Sequence, residues 1–337
     1  MSAIAIVFSL DDYFARHAGV AAQSILSRSA TPSRFHFYFL QDNSGLSAAN
    51  REKLSRIIQA HGAEGEFVAV DAALVEPYRK LGPARFTAAT WYRLLAPSAC
   101  PQLARCLYLD CDVVAIGDVA ELWDTPLPET GLAAVADCFI EREKFKRLPG
   151  VRRYFNSGVL LMNLQRWREQ GYTERCLALA ADRDLLADFP DQNILNMVFS
   201  DDVHFLHPRW NIQTGQQPLM VTAALRDDWR EWREICQSPK IAHFTSDRKP
   251  WNFAMKHGWS LEYWRTLMLT PWGAECSGAE RQRLMWRARS GRAKALASRF
   301  LRWLLMFKKS EKTGAARLVL CGRLVIDKKG KTRQTAR

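Results

Sequence analysis

Asp110 and Asp112 stand one residue apart, just after the apolar run Cys106-Leu107-Tyr108-Leu109. Carboxylates are hard oxygen donors suited to Mg²⁺ or Mn²⁺. In an extended strand, residues two apart share a face. The pair can therefore point at one ion while Cys111 faces away. An ion held this way can bridge the phosphates of a nucleotide and neutralise a leaving diphosphate. A second acidic pair, Asp11-Asp12, follows another apolar run, AIAIVFSL at 3–10. Taken alone, a DxD also fits a solvated turn.

The elements around these pairs decide whether they share a site. After 3–10 comes a helical stretch, FARHAGVAAQSILSRS, then a strand at 34–40, RFHFYFL. SAANREKLSRIIQAHG (47–62) has a helix-capping Ser, apolar positions at helical spacing and a terminal Gly. GEFVAVD reads as a strand, FTAATWYRLLAP (86–97) as a helix ended by Pro97. GLAAVAD (131–137) and YFNSGVLLMNL (154–164) supply further strands, and DQNILNMVF (191–199) reads as a helix capped by Asp191. Strands alternating with helices predict an α/β domain with a mostly parallel sheet. Ligands of such sheets bind beyond the carboxyl ends of the strands, where both acidic pairs fall.

Charge separates the chain into two parts. Residues 281–337 hold 18 Lys and Arg against 2 Asp and Glu, a net of +16, whereas the other 280 residues hold 30 against 33, a net of −3. The overall +13 is thus a property of the tail. From about 281 basic and apolar residues alternate at helical spacing, with Leu296, Phe300, Trp303, Leu304 and Phe307 in one sector and Leu301 and Leu305 off it. The end, DKKGKTRQTAR, has a disorder-type composition. The division expected is a catalytic domain over 1–265 and a basic amphipathic, partly disordered region over 266–337. The 8 cysteines are scattered, with no CxxC pair for zinc, and the opening MSAIAIVFSL reads as a buried strand rather than a signal peptide. Both fit a reducing cytosol.

YLDCDVVAIGDVAELWD, FNSGVLLMNLQRWRE, DQNILN and HFTSDRKPW occur in that order. Together they resemble the bacterial family 8 retaining glycosyltransferases, which include lipopolysaccharide galactosyl- and glucosyltransferases. The resemblance spans roughly residues 3–265 and implies a GT-A-type nucleotide-sugar-binding domain. It implies that Asp110, Asp112 and His243 bind Mn²⁺ or Mg²⁺, and that Lys249 contacts the donor diphosphate, a role suited to a point charge. Asp137 and Asn156 match donor-sugar contacts, Arg93 an arginine that reaches the donor, and Asp191 and Gln192 the pair near the anomeric carbon. Asp11 matches the residue that recognises the uracil edge. Outside the resemblance, His243 fits a structural histidine, Lys249 a surface lysine, Arg93 a helix-face salt bridge and Asp191 a helix N-cap. Two positions depart from the family: Tyr13-Phe14 stand where many relatives carry Asn-Tyr, and Ser246 stands where relatives usually carry Gly.

The implied reaction moves glucose or galactose from UDP-glucose or UDP-galactose to a glycan or glycolipid acceptor such as lipopolysaccharide core, with same-face attack and retention. Lys249 and the metal stabilise the departing UDP. A basic tail in bacterial members is taken to attach the enzyme to the membrane, which implies a peripheral protein on the cytoplasmic face. Two rivals remain at this level. An aspartyl-phosphate phosphatase also places DxD after an apolar strand. A non-catalytic protein could use the tail for membrane or nucleic acid, although the large apolar anchors favour an anionic membrane over nucleic acid.

Overall fold

The structure is a computed structural model. It describes residues 2–286 except 44, 82, 84–85, 128, 138–139, 141–146, 187, 215–237, 246–248 and 253–258, and beyond 286 the strand residues 305–309, 316–320, 324–327 and 332–333.

Continuous apolar runs become strands covered on both faces. β1 (Ile4–Ser9) is buried throughout. It is followed by α1 (Ala15–Leu26), β2 (Phe35–Gln41), α2 (Ala48–Gln59) and β3 (Glu64–Ala69). Ser47 caps α2 by accepting from the Asn50 amide at 3.3 Å, and Gly62 takes the left-handed φ of 66° after its end. β4 (Cys106–Leu109) leads through Asp110–Asp112 into β5 (Val113–Ala115), and β6 is Leu132–Ala136. β7 (Phe155–Met162) is wholly buried and runs into three short helices: α3 (Leu164–Glu169), α4 (Tyr172–Leu179) and α5 (Pro190–Val198). β8 (Val203–Phe205), β9 (Ile212–Gln213), β10 (Ile241–His243) and α6 (Trp259–Leu267) complete the body.

The main sheet has seven strands in the order β3-β2-β1-β4-β7-β6-β8. Four of its six pairings are parallel, and β7 runs antiparallel to both β4 and β6. Two registers create the site. β1 and β4 pair in parallel, with Ile6 opposite Leu107 and Val7 opposite Tyr108, so their carboxyl ends leave the sheet side by side. β7 is antiparallel to β4, with Leu109 opposite Val159, so its first residues lie at that same edge. A second sheet, β5-β10-β9, stands beyond the edge. There His243 pairs with Val113 on one side and Gln213 on the other.

Three expectations are corrected. The segment 88–95 is a 3-10 helix, and Pro97 opens the next short helix, Ala96–Ala99, rather than ending one. Proline is accommodated in a first turn because the amide it lacks has no partner there. Asp191 does not cap α5: Phe189 is the N-cap and Pro190 the first helical residue, which leaves the Asp191 side chain for other partners. The tail is helical over 278–286; 287–304 lie outside the described residues, and from Leu305 the chain forms antiparallel strands where a helix was expected. These are Leu305–Lys309, Ala316–Leu320, Leu324–Asp327 and Thr332–Arg333. Val319, Val325 and Ile326 are β-branched, which favours strand over helix. Among the described residues no helix is long and apolar enough to cross a membrane.

Candidate active site

Asp110 and Asp112 lie in the turn between β4 and β5, with Cys111 between them. Cys111 turns inward, its thiol donating to the Ser9 carbonyl at 3.3 Å. Its burial, together with Asp110, Asp112 and Asp11 nearby, pushes the thiol pKa up, and the thiol is committed to Ser9 rather than to the carboxylates. Asp110 and Asp112 face His243: its Nε2 lies 3.1 Å from Asp112 Oδ1 and 3.7 Å from Asp110 Oδ2. The ligand atoms of the three residues lie within 4.8 Å of one another. The Lys249 ammonium donates to Asp112 Oδ2 and to the Phe244 carbonyl. Burial works against the Asp112 charge, but Lys249 and His243 outweigh it and hold the carboxyl below its ordinary range.

Arg93 lies beneath this cluster, almost fully buried. It donates to Asp110 Oδ1 at 2.8 Å, to the Ser157 carbonyl at 2.7 Å and to the Thr90 carbonyl at 3.0 Å, and its Nε is 3.2 Å from Asp191 Oδ2. Burial lowers its pKa, but Asp110 and Asp191 more than compensate. Asp191, equally buried, also accepts from Ser157 Oγ at 3.2 Å. Burial raises its pKa despite Arg93.

The start of β7 supplies a second group. Gln192 Oε1 accepts from the Ser157 amide at 3.0 Å and from Asn156 Nδ2 at 3.1 Å, while Gln192 Nε2 donates to Asp137 Oδ2 at 3.1 Å. Asn156 Oδ1 accepts from the Gly158 amide at 3.1 Å and from Asn211 Nδ2 at 2.8 Å. Asn211 Oδ1 lies 3.1 Å from His243 Nδ1. The motif-matched residues Asp137, Asn156, Gln192 and His243 are thus one hydrogen-bonded chain, closed by Asn211. Sequence reasoning missed Asn211, Ser157 and Gly158. The last two sit inside FNSG, and Asn211 ends PRWN, whose only local signal is a buried Trp beside an amide.

Asp11 is bonded within its own turn, its Oδ1 accepting from the Phe14 amide at 3.0 Å. It lies at the same sheet edge through the pairing of β1 with β4. Asp12 turns away to the N-terminus of α2, accepting from the Ser47 amide at 2.8 Å. Tyr13 is 65% exposed and so available to a ligand face. Ser246 lies outside the described residues.

The donor set fits Mn²⁺ or Mg²⁺: two carboxylates and one imidazole converge, with no thiolate among them. The space in front is kept by Gly158. A Cβ there would stand 2.6 Å from Asp110 Oδ2 and 2.1 Å from His243 Cε1.

A family model, glycosyl transferase family 8, matches residues 5–254, which contain every part of this site. The chain belongs to family 8. It is 30% identical over 273 residues to general stress protein A of Bacillus subtilis, covering 79% of this chain and 94% of that protein. It is 31% identical over 182 residues to a lipopolysaccharide 1,2-glucosyltransferase of Escherichia coli K12, covering 50% of this chain and 51% of that protein. Among solved structures it resembles the galactosyltransferase LgtC in complex with donor and acceptor sugar analogs, with a TM-score of 0.69 and 26% identity, over 83% of this chain and 99% of that one. The family 8 body is a GT-A fold. Membership sets aside the phosphatase reading of the DxD.

Proposed function

We propose that this family 8 member is a metal-dependent, retaining hexosyltransferase that moves glucose or galactose from a UDP-sugar to a glycan or glycolipid acceptor, lipopolysaccharide core being the class its relatives suggest. The observation that carries the reading is the convergence of Asp110, Asp112 and His243 beside Lys249, one hydrogen-bonded chain away from Asn156, Gln192 and Asp137. Asp110, Asp112 and His243 would hold Mn²⁺ or Mg²⁺. The ion would supply positive charge to the leaving diphosphate.

The chain's own residues do the rest. Lys249 stabilises charge as UDP departs, an interaction stronger in the transition state than before it. Asp137 and Asn156 orient the sugar, and Asp11 with exposed Tyr13 receives the base. Gln192 is a poor nucleophile, since its amide oxygen already accepts from Ser157 and Asn156. Asp191 is buried and held by Arg93 and Ser157. These engagements favour attack by the acceptor hydroxyl from the leaving-group face, with a diphosphate oxygen taking its proton. The basic tail is read as a recruiting segment for an anionic membrane on the cytoplasmic side, with no role for nucleic acid.

The test is hydrolysis and transfer with a panel of UDP-sugars, with Mn²⁺ and with EDTA. One UDP-hexose should be consumed, and Asp112→Asn should abolish turnover. Lys249→Ala should lower kcat more than it raises KM. Full activity of Asp112→Asn in EDTA would end the reading.

A further inference from the structure

Side-chain amides have no intrinsic direction in a structure; a backbone N–H has one. Two backbone donors at the start of β7 therefore orient the amide chain without ambiguity. The Gly158 N–H points at Asn156 at 3.1 Å, so the atom that receives it is Asn156 Oδ1. The Ser157 N–H points at Gln192 at 3.0 Å, so that atom is Gln192 Oε1, which requires Asn156 to present Nδ2 to it, at 3.1 Å. Both constraints give the same Asn156 orientation. Asn211, 2.8 Å from Asn156 Oδ1, must then donate through Nδ2, and its Oδ1 is left to face His243 Nδ1 at 3.1 Å. An amide oxygen accepts only, so Nδ1 must carry the hydrogen.

From this we infer that Asn211 is a positioning residue: it transmits the backbone polarity of β7 to His243, fixes the Nδ1–H tautomer, and so turns the Nε2 lone pair toward Asp110 and Asp112. The inference rests on the proposed metal centre for its purpose, but the hydrogen position stands apart from it. Asn211 is 2% exposed and sits where β9 begins, alongside β10, which carries His243. Such outer partners of a ligating histidine set its ring orientation and basicity. The same amide joins the ligand to Asn156, so sugar-side and metal-side geometry are set by one side chain.

Two measurements on the full chain test this. Long-range ¹H–¹⁵N spectra of ¹⁵N-histidine-labelled protein in Mg²⁺, with His243 assigned by loss of its signals in His243→Gln, should show a protonated Nδ1. Mn²⁺ affinity, read by electron paramagnetic resonance of the free ion, should fall roughly 10–100-fold in Asn211→Leu. In Asn211→Asp it should stay within about threefold, because the carboxylate still accepts from Nδ1, while KM for the UDP-sugar rises because Asp cannot donate to Asn156. If the wild type bound no Mn²⁺, the metal centre would fail and the spectrum alone would decide the tautomer. A neutral His243 with a bare Nδ1 and a protonated Nε2, or equal loss of affinity in Asn211→Asp and Asn211→Leu, would overturn the inference.

Discussion

Arg93 Nη2 lies 2.8 Å from Asp110 Oδ1, while Arg93 Nε lies 3.2 Å from Asp191 Oδ2. One buried guanidinium thus ties a carboxylate of the DxD to a carboxylate of α5. It also supports the Ser157 carbonyl at the start of β7 and lies over the Tyr108 ring at 4.6 Å. The planar fork spreads its donors over Asp110, Asp191 and the Ser157 carbonyl, a spread that the compact ammonium of a lysine does not reproduce.

Removing one partner of a buried pair leaves uncompensated charge and costs about 3–5 kcal/mol. Arg93→Met should lose stability on that scale in urea unfolding, and Arg93→Lys should fall between it and the wild type. Asp191 should then titrate still higher, because Arg93 is what opposes the effect of burial there. An unfolding free energy unchanged in Arg93→Met would remove the guanidinium from the support of the site.

Gly158 makes a separate claim on the same cavity. A methyl group there must displace His243 or Asp110, since its position is 2.1 Å from His243 Cε1 and 2.6 Å from Asp110 Oδ2. Gly158→Ala should cost about 1–3 kcal/mol through overpacking. Its larger effect should be on the ion: Mn²⁺ binding should be lost while the far-ultraviolet circular dichroism stays native. Retained binding at wild-type affinity would mean that the three ligands do not share the space Gly158 keeps open.

What could be read in advance follows from how local each signal is. The DxD was legible because four apolar residues before it announce a strand end, and Ser47 because a cap and its helix are contiguous. The mismatch at Pro97 came from reading proline as a stop when it also suits a first turn. The same holds for the cap expected at Asp191: Pro190 takes the start of α5, so the carboxylate meets Arg93 and Ser157 instead. The local marks of Asn211 and Gly158, a neighbouring Trp and a place inside FNSG, say nothing of their partners. Their roles are made by β9 beside β10 and by β7 beside β4, pairings between segments far apart in the chain. The antiparallel course of β7 was equally invisible, because a fully buried strand reads alike in either direction.

His17 gives the fold a pH dependence of its own. Its ring stacks on Trp251 with centroids 3.7 Å apart, and Nδ1 lies 2.7 Å from the Tyr263 hydroxyl. Burial, and then Arg16, lower its pKa to about 3 although Asp112 opposes them and Lys249 adds to them. The unfolded chain takes up this proton near pH 6.5, the folded chain only near 3. Stability from this group is therefore complete above about pH 6.5 and is lost as pH falls toward 3, by at most about 1.4 kcal/mol per pH unit. Urea unfolding at pH 7, 6 and 5 should show a shallower decline in His17→Gln than in the wild type. Parallel declines in the two proteins would place the pH dependence elsewhere.

The tail should separate recruitment from chemistry. Its net +16 contrasts with −3 for residues 1–280, and each Lys or Arg near an anionic bilayer contributes about 1 kcal/mol, screened by salt. Leu284 and Met285 pack against the core, and Arg281 donates to the Gly273 carbonyl at 2.8 Å, so the body takes in the helical residues 278–286. Trp286 is 69% exposed. A chain ending at 286 should therefore fold, hydrolyse UDP-sugar at the wild-type rate, and stay in the supernatant with anionic vesicles. The full chain should sediment with them at low salt, be largely released at high salt, and ignore vesicles of neutral lipid. Its transfer to an acceptor embedded in anionic vesicles should exceed that of the shortened chain, while the two should match on a soluble acceptor. Equal sedimentation of both chains at low salt would sink the membrane role of the tail, because the net positive charge lies in the tail and not in the slightly acidic body.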